Sequence, residues 1–169
     1  EFAGVVFGRI EMGIDIDSKE LKTALEGKKY KKMKWADARK LPFKESSYST
    51  VISVSVFEHI EDAQNAIFEV NRVLKKGGIF VFSVVTKEIY NNLFVPKIFN
   101  FLGLKTIGDK YFALHCRAFK HVNLRSATWW VKQLKLANFE ILRQEGTFSP
   151  LLLKLHEMFL VSALPSQIW

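Results

Sequence analysis

Residues 34–78, KWADARKLPFKESSYSTVISVSVFEHIEDAQNAIFEVNRVLKKGG, decide how this chain is read. They read as a strand end, a polar loop, an apolar strand over Thr50–Ser55, a turn, a helix and a Gly77-Gly78 stop. The strand is β-branched and apolar enough to be a central one, buried on both faces. Asp62 or Glu61 caps the helix, which carries Ala66, Ile67, Val70, Val73 and Leu74 at helical spacing. Asp37 lies near the start of the stretch, and Asp15 stands just upstream of it. Each acid follows a β-prone run, and open α/β sheets bind ligands at the carboxyl ends of their strands. A nucleotide-like cofactor held by these two acids is the first functional expectation.

Working outward, Ile10–Ile16 is a strand candidate ending in acids. Asp17 and Glu20 resemble a capping box for a helix that stops at Gly27. Lys31–Trp35 is a short strand, and Ile79–Val85 is a buried one. Strand, helix and strand at these spacings predict an α/β fold with a mostly parallel, Rossmann-like sheet and flanking helices. Segment 87–125 is apolar and too long for a plain connection. It reads as one or two short amphipathic helices covering the ligand edge, a lid or substrate insertion within a single domain of residues 1–169. Ser126–Ala137 is an amphipathic helix opened by a serine. Asn138–Thr147 reads as a strand entered by a tight turn, and Leu151–Leu164 as a helix.

Composition narrows the function. An apolar content of 49% over 169 residues suits one globular domain with a sizeable core. The single cysteine, Cys116, excludes an internal disulfide framework and a cysteine-based zinc site, and no resident metal is expected. No apolar run approaches the ~20 residues of a membrane span. No basic segment followed by an apolar run opens the sequence, so no signal peptide is expected and a cytoplasmic location is. Net charge is +8, from 25 basic and 17 acidic residues, with much of the surplus in residues 28–40. Such lysines attract anions, but they also discourage pairing at a sheet edge. No recognition helix, zinc spacing or aromatic RNA-binding motif accompanies them, so no nucleic-acid partner is expected.

These residues also carry a family resemblance. Gly13-Ile14-Asp15-Ile16-Asp17-Ser18 resembles the second-strand pattern of class I S-adenosylmethionine-dependent methyltransferases of the small-molecule, type 11-like group. Asp37-Ala38 with Leu41-Pro42-Phe43 resembles their D-A-x-x-L-P-F segment. Ser46–Ile60 resembles their fourth strand and its turn, Glu69–Gly78 their E-x-x-R-v-L-k-p-G-G, and Phe139 stands where they have a-G-F-e. The matches fall in order over residues 12–85 and fade in 87–125 and beyond Thr147.

The resemblance implies the sheet order 3-2-1-4-5-7-6, with S-adenosylmethionine as methyl donor and S-adenosylhomocysteine as product. It implies that Asp15 accepts from the ribose hydroxyls and Ile16 packs on the adenine. Asp37 would accept from the adenine amino group, the Ala38 N–H would meet a ring nitrogen, and Ser53 and Ser55 would face the methionine part, largely through backbone atoms. Each acid also has a plainer reading, Asp15 as a helix cap and Asp37 as a loop brace. His59 is the one titratable side chain at that edge able to act as a base, though in the family it often orders the turn. Glu69 and Arg72, three apart on a helix, read as a structural pair.

The sequence departs from the family at its start, where the first strand and its G-x-G-x-G turn should precede Glu1. That strand is the central one, so an N-terminally incomplete sheet is expected, its gap filled by upstream residues, by Glu1–Gly8 or by a partner. Ser49 and Asn138 replace a family Asp and Gly. The leading expectation is methyl transfer to a small acceptor, with residues 87–125 forming its pocket. A non-catalytic binding module on a truncated methyltransferase fold is the alternative, and a nicotinamide-using enzyme a third reading. Phe94, Ile98, Phe99 and Phe101 with nearby lysines also suit peripheral membrane contact.

Overall fold

Short capped helices and β-prone runs alternate along the chain, and the computed structural model describes residues 10–146. Strand β1 (Ile10–Asp15) leads into α1 (Ser18–Glu26), whose cap Asp17 accepts from the Lys19 N–H at 2.8 Å. Gly27 closes α1, and β2 (Tyr30–Trp35) returns parallel to β1. Strand β3 (Tyr48–Val54) and β4 (Leu74–Ser83) form a second parallel pair, joined by a single 3-10 turn (Phe57–His59) and α2 (Ala63–Val73). Asp62 caps α2 by accepting from the Asn65 N–H at 3.2 Å.

A 3-10 segment (Lys87–Asn92) then opens the predicted insertion, followed by α3 (Phe94–Phe101) and α4 (Lys105–Ala118). Helix α5 (Ala127–Leu136) closes the described part, with the Ser126 hydroxyl accepting from the Trp129 N–H at 3.2 Å. The pairs β1–β2 and β3–β4 correspond to strands 2–3 and 4–5 of the family order 3-2-1-4-5-7-6, which are neighbours in it. Among the described residues no pairing joins the two sheets. Glu1–Gly8, which bears on the gap between them, and Leu151–Leu164 lie outside the described residues.

The core lies on one face of the β3–β4 pair. Phe57, Ala63, Ala66, Ile67, Val70, Leu74, Trp130 and Ala137 are buried together, so α2 and α5 cover that face. Their apolar residues recur every three or four positions, which turns one stripe of each helix to the sheet. Phe57 packs edge-on against Phe82 at 5.1 Å and Trp130 at 6.4 Å, and Phe80 meets Phe139 at 5.4 Å. Burying one such side chain stabilises by about 1.5–3 kcal/mol. Edge strand β2 instead exposes Lys31, Lys32 and Lys34, and Lys31 pairs with Glu11.

Three expectations are corrected. Gly77-Gly78 does not end the helix: α2 stops at Val73, and Leu74 turns extended at φ −74°, ψ 140° to begin β4. The glycines lie in a bulge, because Leu74 pairs with Tyr48 while Ile79 pairs with Thr50. Gly77 sits at φ +76°, a region an L side chain rarely adopts. A Cβ on Gly78 would lie 2.9 Å from the Lys75 carbonyl oxygen and 3.1 Å from that of Ser49. Backbone cannot move aside as a side chain can. Gly78→Ala is therefore expected to cost about 1–3 kcal/mol, read as a lower unfolding midpoint in thermal denaturation.

Second, β3 is half-buried rather than buried on both faces, with Val54 36% exposed. Third, residues 139–146 form no strand. No neighbour pairs with them among the described residues, and Leu142 is 81% exposed. A β-prone run needs a partner ladder to become a strand. The tight turn before them is present: Asn138 sits at φ +61°, and the Phe139 N–H donates to the Leu134 carbonyl at 2.9 Å.

Candidate functional site

The carboxyl ends of β1 and β2 bring the two predicted acid turns side by side. The Ala36 N–H donates to the Asp15 carbonyl at 3.0 Å, and the Trp35 indole N–H donates to the Ile16 carbonyl at 2.8 Å. Asp15 Oδ1 accepts from the Asp17 N–H at 2.8 Å, so its carboxylate is held at the head of α1 with lone pairs to spare. Ile16 beside it is 56% exposed and Trp35 61%. An apolar shelf flanked by a braced carboxylate suits a nucleoside, whose base wants a flat contact and whose ribose wants acceptors. That donor set fits the implied cofactor.

Asp37 has a further occupation. Its carboxylate accepts from the Arg39 N–H at 2.8 Å and from the Arg39 guanidinium at 2.7–3.1 Å. The guanidinium holds the Asp37 carboxyl below its usual range. The brace expected as the plain alternative is thus present, and the oxygens keep lone pairs for a further donor. Ala38 is half-buried and packs against the core, so the loop is tied to the second sheet's layer.

Glu69 and Arg72 make that tie rigid. Arg72 donates to Glu69 at 2.7 and 2.8 Å and to the carbonyls of Phe43 and Leu41 at 2.8 and 2.9 Å. Glu69 in turn accepts from the Leu41 N–H at 2.7 Å. The Arg72 hydrogen bonds pull the Glu69 carboxyl below its ordinary value of 4.5. The structural pair read from the sequence is a clamp on the Leu41-Pro42-Phe43 loop.

Ser53 and Ser55 lie on β3 and in the turn that follows it. The Ser53 hydroxyl is buried with no hydrogen-bond partner. Ser55 holds φ +51°, and its N–H donates to the Ser83 carbonyl at 3.0 Å. Beyond it opens a groove that runs along β4 and residues 138–146, and whose walls also include Ser55, Glu58 and His59 from the turn and His115, Phe119 and His121 from the insertion. Asp15, Ile16, Asp37, Ala38 and Ser53 are not among its walls. Asp15, Ile16, Asp37 and Ala38 thus lie at the ends of β1 and β2, Ser55 and His59 at the groove, and Ser53 at neither.

Residues 118–125 bind the insertion to that groove. The Glu58 carbonyl accepts from the N–H groups of Val122 and Asn123 at 3.1 and 2.9 Å, and Asn123 Nδ2 donates to the Ile60 carbonyl at 3.1 Å. His59 is exposed, with Nδ1 bonded to the Lys120 carbonyl at 3.0 Å. Sequence reasoning missed Glu58 and His121. Glu58 is fully buried, and burial pushes its carboxyl up; burial also pushes the His121 imidazole down. An acid inside the apolar run before His59 was the available signal for Glu58. His121 had none, because its neighbours are distant in sequence.

The parallel strand pairs and their flanking helices define a Rossmann-like α/β domain. Comparison with known proteins supports the fold. Residues 3–82 match a family model described as a methyltransferase domain. A S-adenosylmethionine-dependent methyltransferase of Thermotoga maritima, a possible histamine N-methyltransferase, is similar at TM-score 0.60 and 20% identity, over 83% of this chain and 58% of that one. The YcgJ protein of Bacillus subtilis is similar at 0.56 and 18%, over 80% and 55%. The [4+2]-cyclase SpnF is similar at 0.57 and 21%, over 80% and 44%. No curated protein matches significantly. Residues 3–82 thus resemble a methyltransferase domain, and the described residues share the Rossmann-like fold of S-adenosylmethionine-dependent methyltransferases. The chain spans about half the length of these structures. Among the described residues, no helix is long and apolar enough to cross a membrane.

Proposed function

We propose that the chain binds S-adenosylmethionine along the carboxyl edge and directs its methyl group to a small-molecule acceptor in the part of the groove lined by Ser55, Glu58, His59, His115, Phe119 and His121. The observation that carries this is the pairing of the Asp15 and Asp37 turns around the exposed Ile16. Asp15 would hold the ribose hydroxyls, Ile16 the adenine face, Asp37 and the Ala38 N–H the adenine edge, and Ser53 and Ser55 the methionine part. When bound, the cofactor supplies an activated methyl on a sulfonium, so the protein's task is alignment of the acceptor. The insertion serves as lid and pocket wall, and its half-buried aromatics suit an apolar or amphipathic acceptor. His59 is the catalytic candidate there, with Nδ1 taken by the Lys120 carbonyl and Nε2 left for chemistry. A cytoplasmic location follows from this reading.

Calorimetric titration of S-adenosylmethionine into the complete domain tests the proposal. Micromolar binding is expected. Binding of a nicotinamide cofactor instead would overturn it, and absence of any binding would favour the non-catalytic module. The SpnF likeness shows why binding must be measured, since one fold hosts several chemistries.

A second use of the insertion is peripheral membrane contact. Phe101 is 90% exposed, Phe94 46% and Ile98 40%, beside Lys97 and Lys105, while Phe99 is half-buried. Co-sedimentation with anionic vesicles, weakened several-fold by Phe101→Glu, is the expected result. Equal sedimentation of the two proteins would contradict it.

A further inference from the structure

The turn after β3 and the end of the insertion meet in a side-chain cluster of which the proposed methyl transfer uses His59 alone, and an ion held there would take the His59 Nε2 in place of its role as a base. One ligand atom each of Glu58, His59 and His121 lies within 4.8 Å of the others. Glu58 is fully buried; its Oε1 accepts from the Val85 N–H at 3.2 Å, while its Oε2 has no partner. His121 Nδ1 is likewise buried and unpartnered. The His59 Nδ1 contact with the Lys120 carbonyl leaves its Nε2 as the nitrogen for a ligand. A metal-bound histidine commonly donates its second ring N–H to a backbone carbonyl, which fixes its tautomer and ring orientation. The Val85 N–H orients the carboxylate in the same manner.

We propose that Glu58, His59 and His121 form a site for one divalent first-row transition ion, of which zinc is the best-suited probe. Two imidazoles and a carboxylate are the ligand set of open zinc sites, and they leave a position for a donor from the groove. Ligands about 2.1 Å from a shared tetrahedral ion stand ~3.4 Å apart, so side-chain rotations of about an ångström close the set. The ion would also answer a cost that the metal-free cluster carries. A buried carboxylate oxygen without a partner is unfavourable, and a cation supplies the missing partner. The open position faces the groove, so an oxygen or nitrogen of a small molecule bound there would complete the coordination. This inference stands on the side-chain cluster alone and survives or fails separately from methyl-donor binding. The sequence pointed to no metal because the third ligand comes from the far end of the insertion.

His115, Cys116 and His121 make a second, overlapping group, and the experiment separates the two. Chelator-stripped full chain is titrated with cobalt, followed by its visible absorption, and the cobalt is then displaced with zinc. One ion per chain is expected, without a thiolate-to-cobalt charge-transfer band. His59→Ala, Glu58→Gln and His121→Ala should each weaken binding at least tenfold, and Cys116→Ser should leave it unchanged. His59 is exposed, so its variant tests the site without threatening the core. Zinc should also raise the unfolding midpoint of the unsubstituted chain and not that of His59→Ala. Absence of stoichiometric binding would overturn the proposal. So would binding indifferent to His59→Ala and His121→Ala, or binding lost on Cys116→Ser.

Discussion

Asp15→Ala is expected to weaken S-adenosylmethionine binding by about 100-fold or more while leaving the domain folded. In the proposed site the carboxylate accepts two ribose hydroxyls, and hydrogen bonds to a charged acceptor are worth about 1.5–3 kcal/mol each. Losing both corresponds to at least two factors of ten, at about 1.4 kcal/mol per factor. The structural cost is small, since the side chain's own contact is the Asp17 N–H in an exposed turn. Asp15→Asn separates the two roles. It keeps an acceptor for that N–H and gives up the charge, so its affinity should fall between the two. Calorimetry showing equal affinity for the unsubstituted chain and Asp15→Ala would remove Asp15 from the site.

Arg72→Ala is expected to be the most destabilising single change to the polar framework, by about 2 kcal/mol. It removes a half-exposed ion pair to Glu69 and the two hydrogen bonds that hold the Leu41 and Phe43 carbonyls. Partial exposure of the pair limits the electrostatic part, so most of the loss comes from the released loop. A shift of roughly 4–8 °C in the unfolding midpoint should follow. The pH dependence has a definite sign. Glu69 is held below its unfolded value by Arg72, so its contribution is present above the ordinary glutamate range. That contribution is lost as pH falls through the lowered native value, because the unfolded chain then binds more protons. Asp37 acts in the same direction through Arg39. Glu69→Gln keeps an acceptor for the Leu41 N–H and should flatten the acid limb of the stability profile. An unaltered acid limb in that variant would show that the clamp does not govern it.

The two acid turns were legible because each acid ends a short β-prone run, and a strand's carboxyl end places such residues at the ligand edge. The Glu69–Arg72 pair was legible from spacing, yet its reach to Leu41 and Phe43 was not. Helical periodicity says which residues share a face and nothing about which loop crosses it. The glycine pair after Leu74 misled for a related reason. Glycine ends helices and fills bulges alike, and the Tyr48 and Thr50 pairings that decide between them are non-local. The run after Asn138 has strand composition but lacks a partner ladder among the described residues, so its β-propensity goes unused. Glu58 and His121 needed the fold itself, since the insertion's return to the β3 turn is set by the Val122 and Asn123 N–H groups donating to the Glu58 carbonyl. The Asp37 side chain braces its own loop through Arg39, the plainer of its two expected roles.

The most direct test of the account is a crystal structure of the complete domain with S-adenosylhomocysteine. The ribose oxygens are expected within hydrogen-bond distance of Asp15, with the adenine on Ile16 and its amino group at Asp37. A ligand bound elsewhere, with Asp15 left to solvent, would contradict it.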